Sequence, residues 1–432
     1  MISAALPPPR LQLRCTECAA AQSERDAAVF CETCGGLLAF ELDSSAGFDV
    51  ARYRDVLAER RRSNDVIDRS GVWRFRELLP AIAPSDVVSL REGDVPLYEA
   101  RRGAVYANAN RVRYMHLGMN PTASFKDFGM TVAMSHARAR GARLAVCAST
   151  GNTSASMAAY AARVGMTAVV LVPDAGISEA KLAQTLDYGA RVLAIGGDFD
   201  AALEIVRTLD ARRFAIVNSV NPLRIEGQKT TALLLLESSG WHVPDWVVLP
   251  GGNLGNSSAI GKGFREAHAL GLIDRIPRLA VVQAAGAAPF VRAFESGEPL
   301  QPVHAQTTAT AIKIGAPASW RKSLGEVRAS NGTVLAVPDE TIADARAVIG
   351  IDGIGCEPAS AASLAGLRVL VERGVIAAND DVVLMLTGHM LKDTAYAAAY
   401  HAGTAPFANA IAHVANADDA RRHLDSLVQE AC

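Results

Sequence analysis

Between residues 143 and 218 four short apolar runs alternate with helical stretches, and no other feature of the chain restricts its fold as tightly. The runs are Leu144 to Cys147, Ala168 to Val172, Val192 to Ile195 and Phe214 to Val217. Helical patterns from about Ser154 to Val164, Glu179 to Tyr188 and Ala201 to Leu209 separate them. Strand–helix repeats of this kind build a parallel sheet with helices on its faces, joined by right-handed crossovers. A second alternating region follows. Trp246 to Leu249 reads as a strand running into a glycine turn and a helix, Leu279 to Gln283 as a strand, Pro358 to Glu372 as a helix, and Val382 to Leu386 as a strand. The fold class is therefore α/β. The chain has 432 residues, half of them apolar, which is too long for one compact domain. The Arg-rich stretch Ala51 to Arg69 reads as helical turns leading into the main body, and the Ala-rich tail beyond Thr404 as helical.

Charge and hydropathy narrow the functional classes. A net charge of −2 gives no basic field for nucleic acid. Residues 1–10 lack the positive and apolar regions of a signal peptide. Apolar windows such as Ala168 to Val172 fall far short of the ~20 residues a membrane helix needs. The expectation is a soluble, cytoplasmic protein with neither nucleic-acid nor membrane partners.

Four of the seven cysteines fall in the pattern Cys15-x2-Cys18-x12-Cys31-x2-Cys34. Each pair can present two sulfurs to one tetrahedral ion, and Gly35 and Gly36 permit the tight knuckle, so the spacing reads as a four-thiolate zinc ribbon. A closed four-cysteine site leaves no open coordination position, which makes its role structural. The alternative is a set of free thiols.

Four segments carry candidate chemistry. In Asn120-Pro-Thr-Ala-Ser-Phe-Lys126-Asp127 a lysine stands just before a helical stretch, Phe128 to Arg140. The positive end of a helix dipole lowers a lysine's pKa and favours the neutral, nucleophilic amine. Ser149-Thr150-Gly151-Asn152-Thr153-Ser154 follows a strand and opens a helix, where backbone N–H groups and hydroxyls can hold an anion such as a carboxylate. Gly251-Gly252-Asn253-Leu254-Gly255-Asn256 also lies between strand and helix and suits a phosphate, although it is neither a Walker loop nor a dinucleotide fingerprint. Thr387 ends the last strand, where open α/β sheets place ligands, and its hydroxyl could meet a heteroaromatic nitrogen. Taken singly, each segment has an ordinary structural explanation as a helix cap, turn or surface lysine. Their order along the chain is the stronger signal.

That order resembles the pyridoxal-phosphate (PLP) enzymes of the tryptophan-synthase-β type. The stretches 120–130, 148–154, 218–230, 250–256, 309–320, 357–361 and 386–393 resemble the threonine synthase family in particular. The resemblance implies PLP fold type II: a zinc-ribbon-like module over 1–45, a large PLP-binding domain from 46–130 and 219–432, a smaller mobile α/β domain over 131–218, and a homodimer. It implies that Lys126 makes the covalent link to the cofactor aldehyde and that Asn152 contacts its 3′-oxygen. Gly251, Gly252, Asn253, Leu254, Gly255 and Asn256 would hold its phosphate, and Thr387 its ring nitrogen. Ser149, Thr150 and Thr153 resemble contacts to the substrate carboxylate and phosphate, and Asn218, Ser219 and Arg224 the pocket for the leaving phosphate of O-phosphohomoserine. Arginine's planar, permanently charged fork suits phosphate, although Arg224 could instead pair on the surface with Glu226 or Glu237. A hydroxyl at Thr387, unlike a carboxylate, would not hold a proton on the ring nitrogen, which makes the cofactor a milder electron sink. Ala123, Phe128 and Met390 depart from the family's usual Gly, Arg and Gly. The rivals are a same-fold threonine or serine dehydratase and an O-phosphoserine-dependent sulfur-transfer synthase.

Overall fold

The computed structural model describes residues 8–23, 28–44, 47–174, 179–196 and 199–431. Thirteen strands form three sheets among the described residues. The first three, β1 (Arg10–Cys15), β2 (Ala21–Gln22) and β3 (Leu38–Asp43), make a small antiparallel sheet in the order β2-β1-β3. It carries Cys15 at the end of β1 and the other three cysteines on its connections, and its inward residues Leu13, Leu38 and Phe40 join the main hydrophobic core.

The larger sheet contains β4 (Leu97–Glu99), β5 (Arg111–His116), β10 (Trp246–Pro250), β11 (Arg278–Ala284), β12 (Thr333–Val337) and β13 (Asp381–Leu386), in the order β12-β11-β10-β13-β5-β4. All neighbours are parallel except β4, which pairs antiparallel with β5 at one edge. Its central strands β10 and β13 are buried at every residue, as expected where helices cover both faces. The third sheet holds β6 (Leu144–Ala148), β7 (Thr167–Pro173), β8 (Arg191–Ile195) and β9 (Ala215–Ile216), all parallel, in the order β8-β7-β6-β9. The two parallel α/β sheets of fold type II are therefore present.

A helix over Pro222–Ser238 is buried from Pro222 to Leu236. It packs against the helices Lys126–Ala139 and Gly255–Ala269 through close backbone contacts. A Cβ at Gly227 would collide with the Phe128 carbonyl, and one at Gly263 with the Lys229 carbonyl, so glycine is what lets the three backbones approach.

Elements differ from expectation where punctuation in the sequence is weak. The fourth strand of the third sheet is only Ala215–Ile216, and the Arg-rich helix is Val50–Arg62, giving way to turns before Arg69. The chain divides into two compact units, Met1–Lys392 and Asp393–Cys432. Within the second, helices span Thr394–His401 and Ala417–Ala431, and residues 404–416 are not helical. Gly403 and Pro406 interrupt the alanine-rich pattern that reads as continuous helix, because proline lacks the N–H and clashes with the preceding turn. No helix of the described residues is long and apolar enough to cross a membrane.

Candidate active site

Every candidate segment leaves the C-terminal end of a parallel strand. Asn120 to Lys126 follows β5, Ser149 to Asn152 follows β6, Asn218 to Arg224 follows β9, Gly251 to Asn256 follows β10, and Thr387 follows β13. Open α/β sheets bind ligands in this crevice. A cavity lies there, bringing together Lys126, Asn152, Ser219, Arg224, Gly252, Asn253, Leu254, Gly255, Asn256, Glu357 and Thr387. Gly251, Ser149, Thr150, Thr153 and Asn218 lie outside its lining.

Lys126 is the first residue of its helix. The turn before it is fixed by Asp127, whose buried carboxylate accepts from Thr122 N (2.8 Å), Thr122 Oγ1 (2.6 Å) and Ser156 Oγ (2.6 Å). Burial pushes that carboxyl up to about 6, against these hydrogen bonds. The same turn is pinned to the end of β13 by Phe125 N donating to Thr387 O at 2.9 Å. Ala123 sits at φ 63°, a left-handed conformation costing a side chain roughly 1–2 kcal/mol. Phe128 is fully buried in the core, and Met390 packs over Gly355. The Lys126 ammonium lies 3.6 Å from the centre of the Phe125 ring. Burial, followed by the positive charge of Arg224, brings its pKa down to about 7, while Glu357 opposes both. A large share of this amine is therefore neutral near pH 7.

The glycine turn is shaped to let a ligand reach the backbone. A Cβ at Gly251 would lie 2.7 Å from Val281 Cγ1, and Gly251 N donates to Val282 O at 2.7 Å. Leu254 turns the chain at φ 64° into the helix starting at Gly255. Asn253 braces this turn: its Nδ2 donates to Ser219 Oγ and its Oδ1 accepts from Ala318 N at 2.6 Å. The buried side-chain amide of Asn256 and the hydroxyl of Ser319 have no hydrogen-bond partner among the described residues. Unpartnered buried donors beside a helix N-terminus suit an anion such as a phosphate group. The turn thus fits the phosphate of a pyridoxal cofactor, and Lys126 in the same cavity fits its aldehyde.

Arg224 decides between the two readings of its segment. It is 1 % exposed and donates Nη1 to Val217 O at 3.0 Å, while its Nε has no partner among the described residues. Burial lowers its pKa to about 10. The surface ion pair is ruled out, because both acids are engaged elsewhere: Glu226 pairs with Lys229 and Lys262, and Glu237 with Arg74 (2.9 Å) and Arg61 (3.9 Å). A cation is thus held in the cavity wall without a carboxylate partner among the described residues. Asn218 is spent on the backbone: its Oδ1 accepts from Ala148 N (3.3 Å) and its Nδ2 donates to Ala148 O (3.2 Å), which fixes the loop carrying Ser149.

Two participants have no assigned role in the sequence reading. Glu357 accepts from Asn152 Nδ2 (3.0 Å) and from Thr387 Oγ1 (3.2 Å) inside the cavity. Burial raises its pKa, opposed by Asn152, Lys126, Lys392 and Thr387. An acid directly ahead of Pro358 at a helix start was the available signal, but it reads as an ordinary dipole complement; in fact the side chain makes no cap hydrogen bond. Gln228, one turn beyond Arg224 on the same helix, also lines the cavity.

Away from this cavity the four N-terminal cysteines converge, with all sulfurs within 4.8 Å of one another. Cys15 Sγ lies 3.5 Å from Cys34 Sγ, and Cys18 Sγ 3.7 Å from Cys31 Sγ. A tetrahedral zinc with Zn–S bonds of about 2.3 Å places its sulfurs about 3.8 Å apart, so the spacing fits such an ion. Glu17 N and Thr33 N point at Cys15 Sγ and Cys31 Sγ (both 3.4 Å), as in knuckles that stabilise thiolates. Gly35, at φ 72°, makes the second turn.

The fold and the cavity together define an α/β enzyme with a lysine, a helix-terminal anion site and a strand-end hydroxyl around one crevice. Residues 88–388 match the model of the family described as "Pyridoxal-phosphate dependent enzyme", and the chain belongs to that family. Similarity to curated proteins makes the assignment finer. A threonine synthase of Methanosarcina acetivorans is 43 % identical over 386 residues, 88 % of this chain and 92 % of that protein. One from Mycobacterium bovis is 46 % identical over 325 residues, 74 % of this chain and 87 % of its own. Among solved structures, threonine synthase from Escherichia coli superposes with a TM-score of 0.67 at 19 % identity, covering 95 % of this chain and 94 % of that one, which supports the fold. Within the pyridoxal-phosphate dependent enzymes, the chain is a member of the threonine synthases, which are lyases.

Proposed function

We propose that the enzyme converts O-phosphohomoserine and water into threonine and phosphate, with Lys126 as the catalytic amine. The observation that carries this reading is Arg224, a buried and uncompensated cation in the same cavity as Lys126. A dehydratase, whose substrate has no phosphate, gives no reason to leave such a charge unpaired. Bound there, the cofactor supplies an electron sink for charge developing on the substrate. The chain's own residues do the rest. Lys126, partly neutral near pH 7, takes the proton from Cα and moves protons at Cβ and Cγ. Arg224 and Ser219 hold the departing phosphate. Asn152 would contact the cofactor's 3′-oxygen, Gly252 to Asn256 would hold its phosphate, and Thr387 would face its ring nitrogen.

Ser149, Thr150 and Thr153 would reach the substrate when residues 131–218 close as a mobile domain, with Asn218 setting the loop. Closure would exclude bulk water until the hydration step. We also read the protein as a cytoplasmic homodimer. Parallel assays with O-phosphohomoserine, with O-phosphoserine plus sulfite, and with threonine test the substrate. Release of equal amounts of phosphate and threonine from the first is expected, and ammonia or a sulfonated product from the others would contradict the reading.

Arg224→Lys keeps a charge but loses the fork that binds phosphate at two points. One charge-assisted hydrogen bond is worth about 1.5–3 kcal/mol, so kcat/KM for O-phosphohomoserine should fall about 10- to 150-fold. Cofactor absorbance should be unchanged.

The four-cysteine cluster is proposed to hold one structural zinc. Elemental analysis of purified protein should find one zinc per chain. Cys18→Ser with Cys34→Ser should lose it and lower the melting temperature, since β1 and β3 form part of the main core.

A further inference from the structure

We propose that the four-cysteine module belongs to the scaffold of the substrate site: Val29 and Phe30, anchored by the cysteine cluster, are positioning residues that buttress the two strand ends from which the substrate loops leave. This rests on the reading above, in which Ser149 to Thr153 and Asn218 to Arg224 receive the substrate. The module packs in two directions. Its strands β1 and β3 place Leu13, Leu38 and Phe40 in the main core, and Lys322 Nζ, on the helix Trp320–Ala329, donates to Leu38 O at 2.7 Å. The connection between the two cysteine pairs goes elsewhere. Val29 is 3 % exposed and belongs to a separate apolar cluster with Val146 and Ala148 of β6, Leu171 of β7, Ile216 of β9, and Ala202 and Val206 of the helix Phe199–Thr208. Phe30 and Val220 pack against that same cluster, and both line one cleft beside the second knuckle.

The cluster sits next to the chemistry. Ala148 immediately precedes Ser149, Ile216 stands two residues before Asn218, and Val220 lies between Ser219 and Arg224. Protein interiors are close-packed, so a shift of the apolar footing under these positions is passed to the loops that follow them. What holds Val29 is local. Phe30 forms an isolated antiparallel bridge with Leu37, Cys31 N donates to Gly36 O at 2.8 Å, and Cys31 Sγ stands 3.7 Å from Cys18 Sγ within the four-sulfur cluster. A three-stranded module of this size has little core of its own, so an ion held by the four thiolates would supply much of its rigidity. The cysteines thereby tie a segment packed with β6 and β9 to strands that rest on the main core. Lys126 and the glycine turn follow β5 and β10 of the larger sheet, outside this cluster. The buttress therefore bears on the substrate loops more than on the cofactor's anchors.

Val29→Ala tests the buttress without touching a cysteine. Elemental analysis should still find one zinc per chain, and the borohydride-sensitive absorbance should persist. Amide hydrogen exchange read by mass spectrometry should speed up in β6 and β9 and stay as in wild type in β10 and β13. KM for O-phosphohomoserine should rise by up to about 15-fold, the equilibrium factor for two buried methylene groups, with a smaller change in kcat. Zinc-free enzyme, prepared with a chelator below its melting temperature, should show the same two changes and lose them when zinc is returned. Should Val29→Ala fail to fold, Phe30→Ala, at a half-buried position, carries the same expectations. Unaltered exchange in β6 and β9, faster exchange confined to β1 to β3, a general loss of stability with KM unmoved, or wild-type protein that holds no zinc would each overturn the proposal. A wild-type enzyme that does not turn over O-phosphohomoserine would instead remove the substrate reading, and the exchange pattern would still decide the buttress.

Discussion

Replacing Lys126 with alanine should lower turnover of O-phosphohomoserine on the order of 10⁴-fold, the upper range for loss of a positioned proton-transfer group, and should abolish the borohydride-sensitive absorbance. The effect is large because no other lysine among the described residues lines the cavity. Lys392 approaches Glu357 but is bonded to Gln184, and Lys229 and Lys262 are locked with two glutamates in the core. The environment of Lys126 also sets a pH dependence. Its amine is brought down to about 7 by burial and by Arg224, so the fraction able to attack an aldehyde grows as pH rises through that value. Uptake of the cofactor by the apoprotein should accelerate over the same interval. A rate that climbs only near the ordinary lysine value of about 10.4 would mean that the amine is not in the cavity described.

Glu226→Ala should destabilise the fold by about 3–5 kcal/mol, as expected when one partner of a buried ionic cluster is removed. Glu226 is fully buried and pairs with both Lys229 and Lys262, which also meet Glu266 at 2.7 and 2.8 Å. Two positive and two negative charges thus balance between the helices Pro222–Ser238 and Gly255–Ala269. Removing Glu226 leaves two ammonium groups facing one carboxylate out of reach of water. The urea midpoint should fall, and activity at low temperature should fall much less, since the cluster does not line the cavity. The cluster also predicts an acid limit. Burial alone would raise the pKa of Glu266, but Lys229 and Lys262 outweigh it and hold it at about 2. A carboxyl held down in the folded state contributes stability above its unfolded value of about 4.3, and that contribution is lost as pH falls from there through about 2.

Most of the sheet architecture is legible in the sequence because its central strands are unbroken apolar runs. The strands β6, β7, β10 and β13 fall where Leu144, Ala168, Trp246 and Val382 begin such runs. β5 escapes notice because Arg111-Val-Arg-Tyr-Met-His alternates charge with bulk, although Tyr114, Met115 and His116 are buried. At the site, Lys126 and the glycine turn are readable because their chemistry depends on local order along the chain. Arg224 is ambiguous in sequence, since Glu226 and Glu237 stand on its own helix, Pro222–Ser238, and only the fold pairs both acids with other cations. Glu357 cannot be found by local pattern. Its partners Asn152 and Thr387 lie far away in sequence and meet it only because β6 and β13 open into the same crevice.

The central claim is that this cavity expels phosphate from carbon and then delivers water to the neighbouring carbon. Running the reaction on O-phosphohomoserine in heavy-oxygen water tests it directly by mass spectrometry. Threonine should carry one heavy oxygen in its hydroxyl group, and the released phosphate none. Heavy oxygen in the phosphate, with homoserine as the other product, would show simple phosphoester hydrolysis and contradict the account.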